Sequence, residues 1–476
     1  MKTPFDSLRF STQALAAVVG GTVVRPGEGE HSGLVTDSRE AKPGNIFLAL
    51  RGERMDGHNY IASAAGNGAD CILAEQVPEG AMQALPDGCA VIFVPDTLAA
   101  LGQIGRWYKN RTHPAVVAVT GSVGKTTTKQ MIHAVLSHDF PTLKTEGNYN
   151  NEIGLPLTLL RLEDTHKIAV LEAGMNHAGE LSRLSHICEP DIAVITNIGT
   201  SHIENLGSRE GIRDAKLELL DGMKPGGCVI LNGDEPLLTE KREELLSRGF
   251  RVLTFAQENR AADHLAVNIR MTASDCTFDL LDTHTGETVS DLYVPAAGRH
   301  NIGNASAAYL CGKHFGMETD AIRKGLAGFE NLRQTVTSVG GMTFIEDCYN
   351  ASPESMEAEL LVLTDLAREK HGRAAAVLGD MLELGGHAPT LHRRVGAKAA
   401  ELGISLLVTY GPCAQEIARG AEISGMPHDR IIVCPDLDAP ETAAGRLRAA
   451  LRPGDVVLFK ASHAVALERV IALLKK

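Results

Sequence analysis

The sequence has few of the features that would assign it to a membrane, a nucleic acid or an oxidising compartment. No stretch approaches the roughly 20 consecutive apolar residues of a membrane span, and the opening MKTPFDSLRF has no apolar signal core. The net charge is −13 and Lys and Arg form no block, which argues against nucleic acid as a partner. The nine cysteines are scattered and contain no CxxC pair, so we expect reduced thiols in the cytoplasm.

Internal repeats and low-complexity tracts are also missing, so the chain is not an array of one small unit. Its 476 residues exceed what a single hydrophobic core holds, and the length suggests about three domains. A hydrophobic content of 44% with 48 glycines fits a globular α/β protein with many tight turns. We predict domains at residues 1–112, 113–331 and 332–476, with the first limit at the polar segment WYKNRTHP.

Short apolar runs rich in Val and Ile, each bounded by turn signals, alternate with helix-length segments. This pattern predicts strands buried in a mostly parallel sheet, and it occurs in AVVAVT, KIAVLEAG, DIAVITNIG and GGCVILNGDE. The alternating stretch that begins at LAVNIRM predicts antiparallel strands added to that sheet. Later runs predict a second, Rossmann-like sheet: MTFIEDC, AAAVLGD, SLLVTYG, RIIVCP and DVVLFKAS. The first 112 residues predict a smaller α/β domain.

The segment TGSVGKTTT at residues 120–128 stands between a predicted strand and a predicted helix. Gly121 and Gly124 let backbone N–H groups turn toward an anion, and the helix N-terminus adds a positive end. Lys125 offers a cation for phosphate and Thr126 a hydroxyl for Mg²⁺. The segment therefore predicts a nucleotide phosphate loop, although the common signature has a further glycine where Val119 stands. The alternative is a glycine turn with a surface lysine.

Three further residues are candidates for the same site. Glu172 ends the next predicted strand, where a carboxylate beside a phosphate loop is well placed for Mg²⁺. His202 follows the strand after that, and Lys216 lies in a helical segment. Taken one by one, each also has a plain structural explanation: a capping carboxylate, a hydrogen-bonded histidine and a solvated lysine.

Taken together, these motifs resemble the Mur ligase family over nearly the whole chain. The resemblance rests on the order and spacing of TGSVGKTTT, EAGMNHAGE, TNIGTSHIENLGS, DAKLEL and GRHNIGNASAA. Members of the family join an amino acid or dipeptide to a UDP-linked muramoyl precursor of peptidoglycan, and their loop reads TGxxGKT, which accounts for the missing glycine. The segment VTDSREAKPGNIFLALRGERMDGHNY resembles the UDP-binding domain of the members that act on longer stem peptides. Three further segments resemble the members that add D-alanyl-D-alanine: TEGNYNNEIGLPLTLLRL, EDCYNASPESMEAEL and AVLGDMLELGGHAPTLH.

Other functions stay open at this point. A tripeptide-forming ligase of the family would carry a DYAHTP-like segment where this chain has DCYNASP. A folylpolyglutamate synthase would lack the DSR-containing first domain. A nucleotide switch or transport protein would use the loop for regulation and would need no amine acceptor.

The resemblance implies ATP and two Mg²⁺ as cofactors, with Lys216 carbamylated because a free ammonium beside two metal ions would be repelled. The implied catalytic residues are Lys125, Glu172, His202 and Lys216, and the implied metal ligands are Thr126, Glu172, His202 and Lys216. The implied nucleotide-binding residues are Thr120, Gly121, Ser122, Val123, Gly124, Lys125, Thr126, Thr127, Asn301, Asn304, Arg333 and Asp347. The two asparagines are expected at adenine, since an amide both donates and accepts; helix capping is the alternative.

The resemblance also implies contacts with the two substrates. Residues expected near the UDP part are Thr36, Ser38 and Arg39, and those expected at the peptide substrates are Asn148, Asn151 and Asn350. Turn formation is the alternative for Asn148 and Asn151. The chain departs from the family at residues 460–463, which read KASH where KGSR is usual, and at NLRQ, where a GR pair is common. We expect a monomer whose domains close around the substrates.

Overall fold

A computed structural model describes residues 4–52, 55–272, 274–330 and 335–476. Within these ranges the strands form three sheets, of five, nine and six strands. Each sheet is built from one continuous stretch of the chain, 22–93, 115–294 or 335–460. The α/β fold with three successive sheets confirms the fold class predicted from the sequence. The domain limits at residues 112 and 331 stay predictions.

The first unit is the smallest sheet with its helices. Its described strands are β1 (Thr22–Arg25), β2 (Leu34–Val35), β3 (Ile46–Leu48), β4 (Cys71–Ala74) and β5 (Ala90–Phe93). Its described helices are α1 (Thr12–Val18), α2 (Ile61–Gly66), α3 (Ala81–Ala84) and α4 (Thr97–Thr112). The strand order is β1-β5-β4-β3-β2, and every pair is parallel except β1 with β5.

The second unit carries the long parallel sheet. Its described strands are β6 (Ala115–Thr120), β7 (Thr142–Lys144), β8 (Ile168–Glu172), β9 (Ile192–Ile195), β10 (Cys228–Asn232), β11 (Arg251–Ala256), β12 (His264–Met271), β13 (Cys276–Asp282) and β14 (Thr288–Val294). Its described helices are α5 (Lys125–Leu136), α6 (Gly154–Leu159), α7 (Glu180–Cys188), α8 (Ile203–Leu206), α9 (Arg209–Leu217), α10 (Pro236–Thr239), α11 (Arg242–Ser247), α12 (His300–His314) and α13 (Thr319–Ala327).

The order of this sheet is β14-β13-β12-β11-β10-β9-β6-β8-β7. The strands from β7 to β12 pair in parallel, whereas β13 and β14 add antiparallel pairs at one edge, as the alternating sequence pattern predicts. The central strands are buried on both faces, which is why their sequences are continuous apolar runs. Strand β6 lies between β8 and β9, so the loops that follow these three strands meet at one edge of the sheet.

The third unit is a six-stranded sheet flanked by helices. Its described strands are β15 (Thr335–Val339), β16 (Met342–Asp347), β17 (Ala374–Gly379), β18 (Leu406–Tyr410), β19 (Ile431–Cys434) and β20 (Val456–Lys460). Its described helices are α14 (Pro353–Glu369), α15 (Ala388–Glu401), α16 (Gln415–Ile423), α17 (Pro440–Ala450) and α18 (Glu468–Leu474). The order is β15-β16-β20-β17-β18-β19, parallel apart from β15 with β16. This matches the predicted Rossmann-like sheet.

Helix α4 joins the first unit to the second. Asp96 caps its start by accepting from the N–H groups of Leu98 and Ala99. The hydroxyl of Tyr108 donates to the carbonyl of Leu162 at 2.9 Å, in the second unit. The helix therefore belongs to the first unit by sequence order and packs against the second.

Two further facts concern the sequence expectations. The structure contains no described helix that combines the length and the apolarity needed to cross a bilayer. All nine cysteine thiols are free, and every one except Cys413 is buried.

Candidate active site

The second and third units meet at a cleft of about 410 Å³. The ends of β6, β8, β16 and β20 open into it, because parallel strands present their carboxyl ends at one edge of a sheet. The predicted site residues that line the cleft are Thr120, Gly121, Ser122, Val123, Gly124, Lys125, Thr126, Thr127, Asn148, Asn151, Glu172, His202, Lys216, Asp347 and Asn350. Residues of all three predicted domains are candidates for the site. The residues that line this cleft come from the second and third of them.

The loop between β6 and α5 has the backbone that its glycines predict. Gly121 has a φ of 150° and Gly124 a φ of 84°. A Cβ atom at Gly121 would lie 1.9 Å from the hydroxyl of Thr196, so only glycine fits there. Helix α5 begins at Lys125, directly after the loop. The first N–H groups of this helix have no intrahelical partner and face the end where an anion is stabilised.

The backbone N–H groups of the loop itself are arranged differently from our expectation. The side-chain oxygen of Asn197 accepts from the N–H of Ser122 at 3.1 Å and of Val123 at 2.9 Å. The amide group of the same residue donates to the carbonyl of Val123 at 3.0 Å. Asn197, which follows β9, thus fixes the conformation of the loop that follows β6. The first turn of α5 is left as the main backbone donor for a phosphate.

Glu172 is a buried carboxylate at the centre of a hydrogen-bond network. Its Oε2 accepts from the Thr126 hydroxyl at 2.8 Å and lies 3.1 Å from Nζ of Lys129, while its Oε1 accepts from Asn150 at 2.9 Å. Burial alone would raise the pKa of Glu172, but the positive charges of Lys129 and Lys125 lower it overall. The group therefore stays anionic and next to the phosphate loop.

The ammonium of Lys125 folds back onto its own loop. Its Nζ donates to the carbonyls of Gly121 at 2.7 Å and Ser122 at 3.2 Å. Lys216 is 2% exposed and also lines the cleft. Burial, followed by the charge of Lys125, lowers the pKa of Lys216 well below its usual value. Two lysine side chains thus face the same cavity, and the pKa of one of them, Lys216, is lowered.

His202 is placed by a contact with the third unit. Its Nδ1 lies 2.6 Å from Oε2 of Glu383. Both residues have left-handed backbone conformations, with φ values of 64° and 62°. Such conformations cost energy for residues other than glycine and cluster at functional sites. The hydrogen bond with His202 lowers the pKa of Glu383, although burial opposes it.

These residues are suited to a magnesium ion. Hydroxyl and carboxylate oxygens are the ligands Mg²⁺ prefers, and Thr126 and Glu172 place one of each in direct contact. In the part of the chain that the structure describes, no three His, Cys, Asp or Glu side chains are grouped so as to hold a metal alone. A Mg²⁺ at this point would take its remaining ligands from water and phosphate, as this ion usually does.

The third unit contributes a second charged pair to the cleft. Asp347 ends β16, Lys460 ends the neighbouring β20, and their side chains form an ion pair. The ammonium of Lys460 also donates to the carbonyl of Asn350 at 3.1 Å. His300, at the start of α12 in the second unit, lies near this pair, and burial with the nearby charge of Lys460 lowers its pKa to about 4. Lys460 belongs to the atypical KASH segment, and the structure gives this lysine a position in the site.

Several predicted residues lie away from the cleft. Asn301 and Asn304 are buried: Asn304 donates to Asn301 at 3.1 Å and accepts from the hydroxyl of Thr128 at 2.9 Å. Asn304 thus links α12 to α5, Asn301 donates to the carbonyl of Ala297, and a contact of either with adenine stays a prediction. Ser38 and Arg39 lie in the first unit near Thr36, where Arg39 Nε donates to Asp37 at 2.9 Å. Arg333 lies outside the described residues.

Two asparagines that were predicted at the substrates have visible local partners. The side chain of Asn151 accepts from the N–H of Gly154 at 2.8 Å, at the start of α6, and Asn148 accepts through its backbone carbonyl from Asn150. The first contact is the turn-forming alternative considered for Asn151. Both residues still line the cleft, so a substrate contact stays a prediction.

Sequence reasoning missed several side chains that complete the site. They are Lys129, Asn150, Asn197, His300, Glu354 and Glu383. Lys129 was within reach, because it stands four positions after Lys125 on the same face of a helix. Asn150 and Asn197 lie in irregular loops, where sequence spacing does not tell which asparagine faces inward. Glu354 and Glu383 reach the second unit only because the third unit folds onto it.

A parallel sheet with a glycine loop, a lysine, a hydroxyl and a buried carboxylate defines a nucleotide-binding enzyme of the phosphate-loop class. Three family models match consecutive parts of the chain: "Mur ligase family, catalytic domain" over residues 30–108, "Mur ligase middle domain" over 119–312 and "Mur ligase, glutamate ligase domain" over 332–463. The chain belongs to the Mur ligase family, and the resemblance inferred from its motifs is confirmed.

Relatives match over nearly the full length. The chain is 37% identical over 475 residues to the UDP-N-acetylmuramoyl-tripeptide–D-alanyl-D-alanine ligase of Bacillus subtilis, covering 98% of each. It is 32% identical to the Escherichia coli enzyme of that name, covering 93% of each. A crystal structure of MurF from Acinetobacter baumannii superposes with a TM-score of 0.87 at 32% identity, covering 98% of this chain and 99% of that one. The MurF ligase of Thermotoga maritima, solved in complex with ADP, gives 0.79 at 29% identity, with coverages of 93% and 96%.

Proposed function

We propose that this chain is an ATP-dependent ligase that adds D-alanyl-D-alanine to UDP-N-acetylmuramoyl-tripeptide, a step of peptidoglycan precursor synthesis in the cytoplasm. The observation that carries the proposal is the shared cleft. The phosphate loop and Glu172 stand on one side of it, and Asp347, Asn350 and Lys460 stand on the other. The names of relatives that match over nearly the full length support the same activity.

The chemistry of the reaction explains why such a cleft is required. A carboxylate resists attack by an amine in water, and hydroxide is a poor leaving group. In the proposed reaction the terminal carboxylate of the tripeptide takes the γ-phosphoryl group of ATP and becomes an acyl phosphate. The free amine of D-alanyl-D-alanine then attacks the acyl carbon, phosphate leaves, and the amide and ADP remain. Both steps gather negative oxygens, so the enzyme must supply cations and N–H donors.

Different groups of the cleft supply these cations and N–H donors. The ammonium of Lys125 leaves the carbonyls of Gly121 and Ser122 for the oxygens of the transferring phosphoryl group, and the first turn of α5 donates N–H groups to the same anion. Thr126 and Glu172 hold Mg²⁺, which supplies further positive charge to the phosphate oxygens when it is bound. Asp347 and Asn350 accept and orient the dipeptide from the opposite wall.

Lys216 has a separate role in the proposal. A neutral amine is needed to form a carbamate with CO₂, and burial beside Lys125 lowers the pKa of Lys216 in that direction. A carbamylated Lys216 is an anion and, together with His202, helps to hold a second Mg²⁺. Protein loaded with ¹³C-bicarbonate is expected to give a carbamate NMR signal that is lost in Lys216→Ala. No such signal in the wild-type protein would contradict this part of the proposal.

The first unit binds the UDP part of the acceptor. Thr36 and Arg39 are exposed and lie in one short segment, while the backbone carbonyl of Ser38 accepts from Asn67 at 2.9 Å and fixes the segment to α2. Arg39 is held by Asp37, and the hydrogen bonds between them lower the pKa of Asp37 to about 2. A phosphate that approaches Arg39 would exchange with this carboxylate as its partner.

The test is phosphate release measured with each substrate left out in turn, with the product identified by its mass. Release is expected only when ATP, the tripeptide precursor and D-alanyl-D-alanine are all present. Release that does not depend on the dipeptide would favour a nucleotide switch. Release that requires a single amino acid instead would favour a tripeptide-forming ligase or a folylpolyglutamate synthase. Structural likeness to proteins of those two names is at 17% identity and therefore concerns the fold alone.

A further inference from the structure

Glu354 joins the third unit to the loop that follows β9 in the second. It lies in the first turn of α14, which Ser352 caps with reciprocal hydrogen bonds to Ser355. Its Oε1 and Oε2 each lie 3.2 Å from the hydroxyl of Thr200, and Oε2 lies 3.4 Å from the N–H of the same residue. Thr200 is buried and the side chain of Glu354 is partly exposed, so the contact lies at the edge of the junction.

The other side of the same loop touches the phosphate loop. The N–H of Gly199 donates to the hydroxyl of Ser122 at 2.8 Å. A Cβ atom at Gly199 would lie 2.9 Å from Oε2 of Glu354 and 3.1 Å from Cβ of Ser122. Residues 199 and 200 are therefore held between the phosphate loop and the start of α14, and a side chain at Gly199 would push Glu354 or Ser122 away.

We propose that Glu354 is a positioning residue that sets the third unit over the phosphate site. Asn350 precedes Glu354 by four residues, and Asp347 by seven, so a shift of the start of α14 moves both groups relative to the phosphate loop. The proposed role of Glu354 involves no contact with a substrate. The residue acts by fixing the distance between the two walls of the cleft. The inference rests on the proposed function, because it assigns the two walls to the same reaction.

A neighbouring residue offers a matched control. Glu357 lies one turn further along α14 and accepts from Arg394 at 2.7 Å, within its own unit. Arg394 also lies 3.5 Å from Glu354. The two glutamates thus share a helix and a basic partner, and of the two it is Glu354 that accepts from Thr200. Glu354→Ala and Glu357→Ala therefore separate contact with the second unit from packing within the third.

The first experiment is small-angle X-ray scattering of the ligand-free full-length protein. Glu354→Ala is expected to have a larger radius of gyration than the wild type, whereas Glu357→Ala is expected to match the wild type. Thr200→Val removes the hydroxyl from the other side and should act like Glu354→Ala. Melting curves establish that each variant is folded. Because scattering does not depend on turnover, it tests the inference even if the proposed function fails.

The second experiment compares the effect on the KM for D-alanyl-D-alanine with the effect on the binding of ATP alone. Loss of these hydrogen bonds is expected to raise the KM for D-alanyl-D-alanine about tenfold in Glu354→Ala, while the binding constant of ATP alone changes little. Glu354→Gln keeps an acceptor for Thr200 and is expected to recover most of the loss. Wild-type scattering and KM in Glu354→Ala would overturn the inference, and so would an equal effect in Glu357→Ala. A wild-type protein without dipeptide-dependent phosphate release would instead refute the proposed function.

Discussion

The junction between the first and second units differs from the junction between the second and third units in the side chains that form it. At the first, a whole helix of the first unit, α4, lies against α6 and α7 of the second, with buried apolar side chains along the contact. Gly102 and Gly105 bring the helix so close that an added Cβ atom would lie 2.7 Å from Ile187 and 2.9 Å from Pro156. At the second junction, the carboxylates of Glu354 and Glu383 reach across, the apolar contact is smaller, and a cleft of about 410 Å³ lies between the units.

This difference indicates which unit moves. Close apolar contacts are lost only when water enters a packed surface, and that costs free energy in proportion to the area exposed. Ion pairs and hydrogen bonds at the edge of a cleft exchange with water at little net cost. We therefore expect the first unit to stay in place, while the third unit opens to admit nucleotide and dipeptide and then closes.

The largest expected effect comes from the cleft. Lys125→Ala should lower turnover by about 10²- to 10³-fold, the usual cost of removing one donor to a developing oxyanion. The protein should still fold, because the ammonium of Lys125 donates to carbonyls of its own loop and faces a cleft rather than a hydrophobic core. Lys144→Met is the control, since Lys144 lies in the same unit and binds Gln130. Near-normal turnover in Lys125→Ala would contradict the phosphate-loop assignment.

The next largest effect concerns the packed junction. Gly105→Val should destabilise the protein by about 1–3 kcal/mol, because the new side chain collides with Pro156. Gly445→Val is the matched control, since Gly445 also lies within a helix and a Cβ there would meet nothing within 4 Å. Thermal unfolding of both variants checks this. Equal melting temperatures would mean that the first junction is looser than its geometry indicates.

A smaller effect is expected at the wall of the third unit. Asn350→Ala should raise the KM for D-alanyl-D-alanine about tenfold, the size expected for one lost hydrogen bond to a charged group. The affinity for ATP should not change, because Asn350 lies on the wall opposite the phosphate loop. Steady-state kinetics against each substrate distinguish the two. An unchanged KM and kcat for the dipeptide would assign its recognition to another part of the cleft.

The smallest effect concerns pH and the ion pairs that flank the packed junction. Glu189 accepts from Arg106 at 2.5 Å and from Lys109 at 2.8 Å. Burial would raise the pKa of Glu189, but these hydrogen bonds lower it to about 2. A carboxyl whose pKa is lower in the folded than in the unfolded state stabilises the fold above its unfolded pKa. That contribution is lost as the pH falls from about 4.5 toward 2.

Glu189→Gln removes this titration. The variant should be less stable than the wild type at neutral pH by about 1 kcal/mol or less, and the gap should narrow as the pH falls through the same range. Glu243→Gln, at an exposed position of α11, is the control. Melting curves at several pH values give the answer. A gap that stays constant from pH 7 to pH 2 would mean that the ion pairs do not stabilise the junction.

Most of the fold was predictable, because the strands of a buried parallel sheet are continuous apolar runs in the sequence. Strand β6 was predicted over its observed residues, Ala115–Thr120. Strand β11, Arg251–Ala256, was not identified, although a turn at Gly249 precedes it. The site was predictable where a motif fixes the backbone, as around Gly121 and Gly124. It was not predictable where side chains from separate loops meet.

Asn197 illustrates the limit. Its amide holds the phosphate loop through Ser122 and Val123, which are distant in sequence and belong to the loop of a neighbouring strand. The pairing depends on how β6 and β9 lie in register, with Val119 opposite Val194. A sequence pattern indicates that both strands exist but does not state their register. Contacts of Glu354 and Glu383 depend further on how the third unit docks.

The most direct test of the central claim follows oxygen atoms through the reaction. The terminal carboxylate of UDP-N-acetylmuramoyl-tripeptide is labelled with ¹⁸O, and the phosphate released in the presence of ATP and D-alanyl-D-alanine is analysed by mass. The acyl phosphate route predicts that each released phosphate carries one oxygen from the carboxylate, with the other retained in the new amide. Released phosphate without the label would contradict the account.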